Sequence, residues 1–228
     1  MTSLSDWVVI FDLDGTLVDS APDLTAALNR ILARQGLDPM DAAEVRPLVG
    51  EGARALLRYS YDSHGRAFPE GEEGEALVRD YIATYADRIS EHSFLFDDVV
   101  EVLGELKEKG ATLAVCTNKL ESLAFPLLAD LGIREFFAEV VCADSLPERK
   151  PSPLPLRTIM QRTARKSGVM VGDTNTDYQA ARNAGIPALI ATFGYGRNDP
   201  ALREAEVFSR YRELPALISA FCTGPRQT

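Results

Sequence analysis

Four short polar segments carry the side chains best suited to chemistry. Asp12-Leu13-Asp14-Gly15-Thr16, Thr117-Asn118-Lys119 and Gly172-Asp173-Thr174-Asn175-Thr176-Asp177 each follow an apolar run, and Lys150-Pro151 lies a little beyond another. Brought together, Asp12 and Asp173 form a cluster of negative oxygens that needs a divalent cation, and a sparse carboxylate set with room for water and phosphate suits Mg²⁺. Thr117 and Asn118 can donate hydrogen bonds to phosphoryl oxygens, and Lys150 supplies a point positive charge. A carboxylate at Asp12 in line with phosphorus can attack it, dividing hydrolysis into two displacements through an aspartyl-phosphate. Asp14 then has a separate task. Gly15 lets the chain turn sharply, so that Asp14 faces the leaving oxygen, protonates it and later deprotonates the attacking water.

These segments must be positioned by the runs they follow. Val8–Phe11, Thr112–Cys116, Glu139–Cys142, Val169–Val171 and Ala188–Ala191 read as strands. They lack the period-two alternation of a half-wet sheet, which predicts burial on both faces. Amphipathic helical stretches, Val99–Lys109, Ser122–Leu131, Leu154–Thr163 and Thr176–Ala184, precede the second to fifth strands. The alternation predicts an α/β fold, a doubly wound parallel sheet, whose ligand crevice lies at the carboxyl ends of the strands. The polar segments fall at those ends.

Between the first two strands, roughly Val18 to Leu95, there is no comparable strand. Helices are expected from Pro22 to a stop at Gly36, over Ala53–Tyr61 and over Glu75–Ile89, with Gly65–Gly74 as a loop. The expected domains are therefore an α/β core of residues 1–17 and 96–228 and an inserted helical cap of residues 18–95. From Asp19 to Leu95 there are 14 acidic and 8 basic residues, all the basic ones arginine. Gly50 and Gly52 precede an apolar-periodic helix whose N-terminus could present main-chain N–H groups to a substrate carboxylate, and Arg54 is an alternative clamp. Glu51 opposes the first role by repulsion. The Gly194-Tyr195-Gly196 segment after the last strand reads as a plain loop, and Thr223–Thr228 as a frayed tail.

With 228 residues, a formal charge of −10 and apolar runs of strand length only, the chain is expected to be a soluble, cytoplasmic protein that contacts neither nucleic acid nor membrane. Cys116 and Cys142 lie in apolar strand-like runs and read as core residues, and Cys222 leaves the number odd. Only two histidines, His64 and His92, are available, which disfavours zinc or serine-hydrolase chemistry.

At the four segments the sequence resembles the haloacid dehalogenase superfamily, specifically its phosphatase branch with a helical cap inserted after the first motif. The resemblance implies Asp12 as nucleophile, Asp14 as general acid/base with its main-chain carbonyl on Mg²⁺, and Thr117 and Lys150 as phosphate-binding groups. It also implies Asp173 as a metal ligand and Asp177 in the metal set, through water or by orienting Lys150. Thr16 and Asn118 are expected at the substrate beside Gly50, Gly52 and Arg54, with cap closure excluding water and choosing the leaving group. The stretch from Phe11 to Leu24, followed by Val49-Gly50-Glu51-Gly52-Ala53, is most similar to members that hydrolyse 2-phosphoglycolate to glycolate and phosphate. Two departures concern substrate selectivity or motif variation and remove no core group: Thr174-Asn175-Thr176 lacks a basic residue, and Ser152-Pro153 follows Lys150-Pro151.

The expected partner is a small phosphorylated metabolite, and the expected assembly a monomer or weak homodimer. Another small phosphomonoester or pyrophosphate is the alternative substrate. Asp14 speaks against a true dehalogenase, and a cap without lysine against a Schiff-base phosphonate hydrolase or a mutase. From a different class, a phospho-acceptor signalling module also groups Asp, Thr and Lys at strand ends. The long insert and a carboxylate able to activate water favour turnover instead.

Overall fold

The computed structural model describes residues 3–196 and 199–223. The chain divides into two compact units, Met1–Val18 with Leu95–Thr228, and Asp19–Phe94. The strands in chain order are β1 (Trp7–Phe11), β2 (Val18–Asp19), β3 (Phe94–Leu95), β4 (Thr112–Cys116), β5 (Glu139–Val141), β6 (Ser167–Gly172), β7 (Ala188–Ala191) and β8 (Glu206–Phe208).

In the first unit six strands form one sheet in the order β5-β4-β1-β6-β7-β8, all parallel. From β1 the chain builds outward to β4 and β5, then returns to the other side of β1 for β6, β7 and β8. Strand order thus reverses beside β1, where an open α/β sheet forms its crevice. Both faces are apolar: Val8 and Ile10 on one side, Val9 and Phe11 on the other, are all fully buried. Val8 and Ile10 join Ala114, Cys116, Met170, Leu156 and Ile159 in a single cluster beneath the helices Leu154–Arg162 and Asn175–Ala184. Burial pushes the thiols of Cys116 and Cys142 up to about 12, so both are inert packing groups at neutral pH.

Two sheet features depart from expectation. β6 begins at Ser167, where a serine and a glycine pair with Trp7 and Val8 despite low strand propensity. β8 was not foreseen; it has three residues and is half-exposed at Val207, so it carries no apolar signature. The expected frayed tail begins at the last residue of the helix Leu214–Thr223 and otherwise lies outside the described residues.

The second unit is helical. Ala21–Arg34 packs on Gly71–Ala86, which also receives Ala53–Ser63. Gly71–Ala86 starts well before the expected Glu75. Glu72 and Glu73 in its first turn complement the helix dipole, and a Cβ on Gly74 would overlap the Pro69 carbonyl and touch the Phe68 ring. The glycine that signals a loop here allows a close approach inside a helix. The buried carboxylate of Asp23 accepts from the main-chain N–H groups of His92 and Ser93, at 2.9 and 2.7 Å, and from Ser93 Oγ. Asp19, also buried, pairs with Arg46 at 2.7 Å.

Candidate active site

Asp12 leaves β1 still in register, its N–H donating to Val171 O at 2.9 Å. The chain then turns at once. Leu13 O accepts from Leu17 N and Val18 N, and Gly15, at φ +80°, donates to Val18 O. A Cβ on Gly15 would overlap the carboxylate of Asp173 and the ring of Tyr195. Glycine therefore allows β1 and β6 to bring their first polar residues together.

The centre of the cluster is Lys150, whose side chain is fully enclosed. Its ammonium stands 2.8 Å from Asp12 Oδ1 in an ion pair and donates to Asp177 Oδ1 at 2.6 Å. Burial opposes the charge on Lys150, but the two facing carboxylates outweigh it and its pKa is raised. Asp177 Oδ2 accepts from Thr174 Oγ1 at 2.7 Å and from Thr174 N at 3.1 Å, a capping box that starts the helix Asn175–Ala184. Both its oxygens are thus engaged by protein donors, which suits a residue that orients Lys150.

Asp173 is fully buried. Its Oδ1 accepts from Thr16 Oγ1 at 3.0 Å and its Oδ2 from Tyr195 N at 2.7 Å. Thr16 was expected at the substrate; its hydroxyl is instead committed to bracing Asp173 from within the core. The Gly194-Tyr195-Gly196 segment, read as a plain loop, is a strap across the site. A Cβ on Gly194 would overlap Asp173 and Gly15 O, and one on Gly196 would overlap Asp173 O. The sequence signal was present as two glycines around an aromatic residue, but nothing local distinguished it from a turn.

Thr117, buried at the end of β4, accepts from Lys119 N at 3.1 Å through Oγ1, and its hydroxyl can still donate. Asn118 differs from expectation. Its amide Nδ2 donates to Lys150 O at 3.1 Å, so it ties two loops together, while its Oδ1, an acceptor, is unpartnered. Lys119 was not among the expected site residues; its ammonium contacts both oxygens of Asp14, at 3.0 and 3.1 Å.

Asp12, Asp14, Thr16, Thr117, Asn118, Lys150, Asp173 and Asp177 all belong to the first unit. Gly50, Gly52 and Arg54 belong to the second. Gly50 and Gly52 hold φ of +96° and +98° ahead of the helix Ala53–Ser63. Arg54 pairs with Glu75 and lies 5.8 Å from the centre of the Phe68 ring, so its charge is partnered within its own unit.

Oxygen atoms of Asp12, Asp173 and Asp177 lie within 4.8 Å of one another, the only such group among the described residues. Three carboxylates against the single ammonium of Lys150 leave uncompensated negative charge in a buried space. Burial, followed by repulsion from Asp177, pushes Asp12 up to about 7, and burial with the same neighbours holds Asp173 well above the carboxylate range. An all-oxygen donor set with excess negative charge fits a hard divalent cation such as Mg²⁺.

A pH dependence follows for the metal-free protein. Folded Asp12 keeps its proton to about pH 7, whereas an unfolded aspartate releases it near 3.8. Between those values the folded state binds the extra proton, so the stability contribution is largest at the acid end and disappears as pH rises through about 7. In EDTA, Tm is expected to be lower at pH 8 than at pH 5.5, at roughly 2–4 °C per kcal/mol for a chain of this size. Mg²⁺ should raise it most at pH 8. A Tm that does not change between the two pH values would contradict the burial of these charges.

A parallel sheet with its acidic groups at the strand ends around a buried lysine defines a class, and comparison supplies its name. The model of the haloacid dehalogenase-like hydrolase family matches residues 9–191, and the chain belongs to that family. It is a hydrolase of the phosphatase kind, similar to the phosphoglycolate phosphatase of Caulobacter vibrioides, with 44% identity over 197 residues covering 84% of this chain and 81% of the relative. The phosphoglycolate phosphatase of Rhodospirillum rubrum is 38% identical over 212 residues, covering 90% and 88%. A solved structure from Haemophilus somnus, described as a predicted phosphoglycolate phosphatase, superposes with a TM-score of 0.86 at 30% identity, covering 92% of this chain and 97% of that one.

Proposed function

We propose that the protein is a Mg²⁺-dependent phosphomonoesterase acting through an aspartyl-phosphate on Asp12, with 2-phosphoglycolate as substrate and glycolate and phosphate as products. The observation that carries the reaction is the placement of Asp12, ion-paired to an enclosed lysine, beside Asp173 and at the mouth of a turn that presents a second carboxylate. The substrate rests on the names of the relatives. An oxygen of Asp12 attacks phosphorus and the ester P–O bond breaks. Asp14 gives its proton to the departing oxygen. Water then attacks phosphorus, the bond to Asp12 breaks, and Asp14 takes the proton. Lys150 and the Thr117 hydroxyl hold phosphoryl oxygens throughout. Asp12, Asp173 and the main-chain carbonyl of Asp14 would hold the cation, which supplies positive charge against the phosphoryl oxygens. Asp177 serves by fixing Lys150.

Comparing kcat/KM over a panel of small phosphomonoesters and pyrophosphate tests this reading. Turnover is expected to vanish in EDTA, return with Mg²⁺ and be most efficient with 2-phosphoglycolate. A different preferred ester would move the substrate and leave the chemistry intact. Stable labelling of Asp12 without release of phosphate would favour a phospho-acceptor module. Among the described residues no helix is long and apolar enough to cross a membrane.

A further inference from the structure

Lys119 is enclosed at a place where lysine is uncommon. Only 8% of it is exposed, and lysine is seldom buried unless paired. Its backbone is pinned on both sides, with N–H donating to Thr117 Oγ1 and C=O accepting from Ala143 N at 3.0 Å. From that anchor the side chain reaches across to Asp14, on another strand end, and its ammonium contacts both carboxylate oxygens. A buried ion pair contributes little net stability, because desolvating both charges offsets their attraction. Its geometric effect is definite: an ammonium bridging both oxygens holds the plane of the Asp14 carboxylate.

We propose that Lys119 is a positioning residue for the two proton transfers at Asp14. The inference rests on the mechanism above, in which Asp14 first protonates the departing ester oxygen as the P–O bond breaks and then accepts a proton from the water that attacks the phosphorylated Asp12. Lys119 itself exchanges no proton and forms no bond to phosphorus. Both transfers require Asp14 to hold one orientation toward a site on the phosphorus side. Formation of the bond between Asp12 and phosphorus does not, provided the leaving group departs without a proton.

That difference supplies the test. p-Nitrophenolate leaves as a stable anion, whereas the alkyl oxygen of 2-phosphoglycolate, or of whichever alkyl ester the enzyme turns over, must be protonated. With Mg²⁺ present, Lys119→Met is expected to lose about 10²-fold or more in kcat/KM for the alkyl ester, the range of a general acid or base. First-turnover release of p-nitrophenol should stay as fast as in the unsubstituted protein and appear as a burst, with phosphorylated Asp12 accumulating behind it. Lys119→Arg, which keeps a cation able to span both oxygens, should recover most of the alkyl-ester activity. Lys119→Gln replaces the methionine variant if that one does not fold. Equal losses in the burst and in alkyl-ester turnover would show a merely structural role and overturn the proposal, as would no loss of either. Failure of the unsubstituted protein to turn over any phosphomonoester would instead defeat the reading of Asp12, and this inference with it.

Discussion

Asp12→Asn is expected to lose turnover by roughly 10⁴-fold or more, the scale seen when a nucleophile is removed, while remaining folded. The amide occupies nearly the same volume but has no carboxylate to attack phosphorus. Its effect on stability has the opposite sign. Asp12 is one of three carboxylates around a single ammonium, and its own charge is disfavoured by burial and by Asp177. Removing that charge leaves Lys150 paired with Asp177 at 2.6 Å. Metal-free Asp12→Asn should therefore unfold at an equal or higher temperature than the unsubstituted protein at pH 8, and the fall in Tm between pH 5.5 and pH 8 should shrink. Steady-state kinetics and thermal unfolding in EDTA check the two halves separately. Turnover within tenfold of the unsubstituted enzyme would refute the assignment of the nucleophile.

Lys150→Met produces the largest expected loss of stability. Methionine fills much of the space of the lysine stem, but Asp12 and Asp177 are left facing each other across a buried gap without a cation. Removing one partner of a buried pair costs about 3–5 kcal/mol, because the remaining charge is neither hydrated nor balanced. Urea unfolding of the metal-free protein at pH 8 should show that loss as a lower midpoint. In the Asp12→Asn, Asp177→Asn background the same substitution should cost much less, since neither of the two carboxylates that faced the ammonium is left charged, and the difference measures the coupling. Full additivity would mean that Lys150 is not held by these carboxylates. Activity should also fall by about 10²–10³-fold, the usual loss on removing a preorganised charge from a phosphoryl group or oxyanion.

Most of the α/β architecture was legible from periodicity because a parallel strand buried on both faces has to be apolar throughout. Val8–Phe11 and Thr112–Cys116 show this plainly. Where strand formation depends on neighbours, the signal fades: Ser167 and Gly168 become strand only by pairing with Trp7 and Val8, and β8 by lying against β7. The polar groups at the strand ends were equally legible, since Asp, Thr and Lys after apolar runs have few structural reasons to recur. The sequence left their mutual arrangement open. Thr16 and Asn118 carry polar groups that face either way, and only the fold shows that one braces Asp173 and the other ties to the Lys150 carbonyl. Lys119 was hidden because a lysine in a loop is ordinarily solvated, and its partner lies 105 residues away in sequence.

The strap that closes on Asp173 also changes what a routine mutational survey would report. Alanine scanning is meant to erase contacts, yet at Gly15, Gly194 and Gly196 it would insert a methyl group where carboxylate, ring or main-chain atoms already stand. Sensitivity there would record intrusion, whereas at Asp12 or Lys150 it would record deletion. Three of the most constrained positions around this chemistry are ones at which no side chain can be trimmed away.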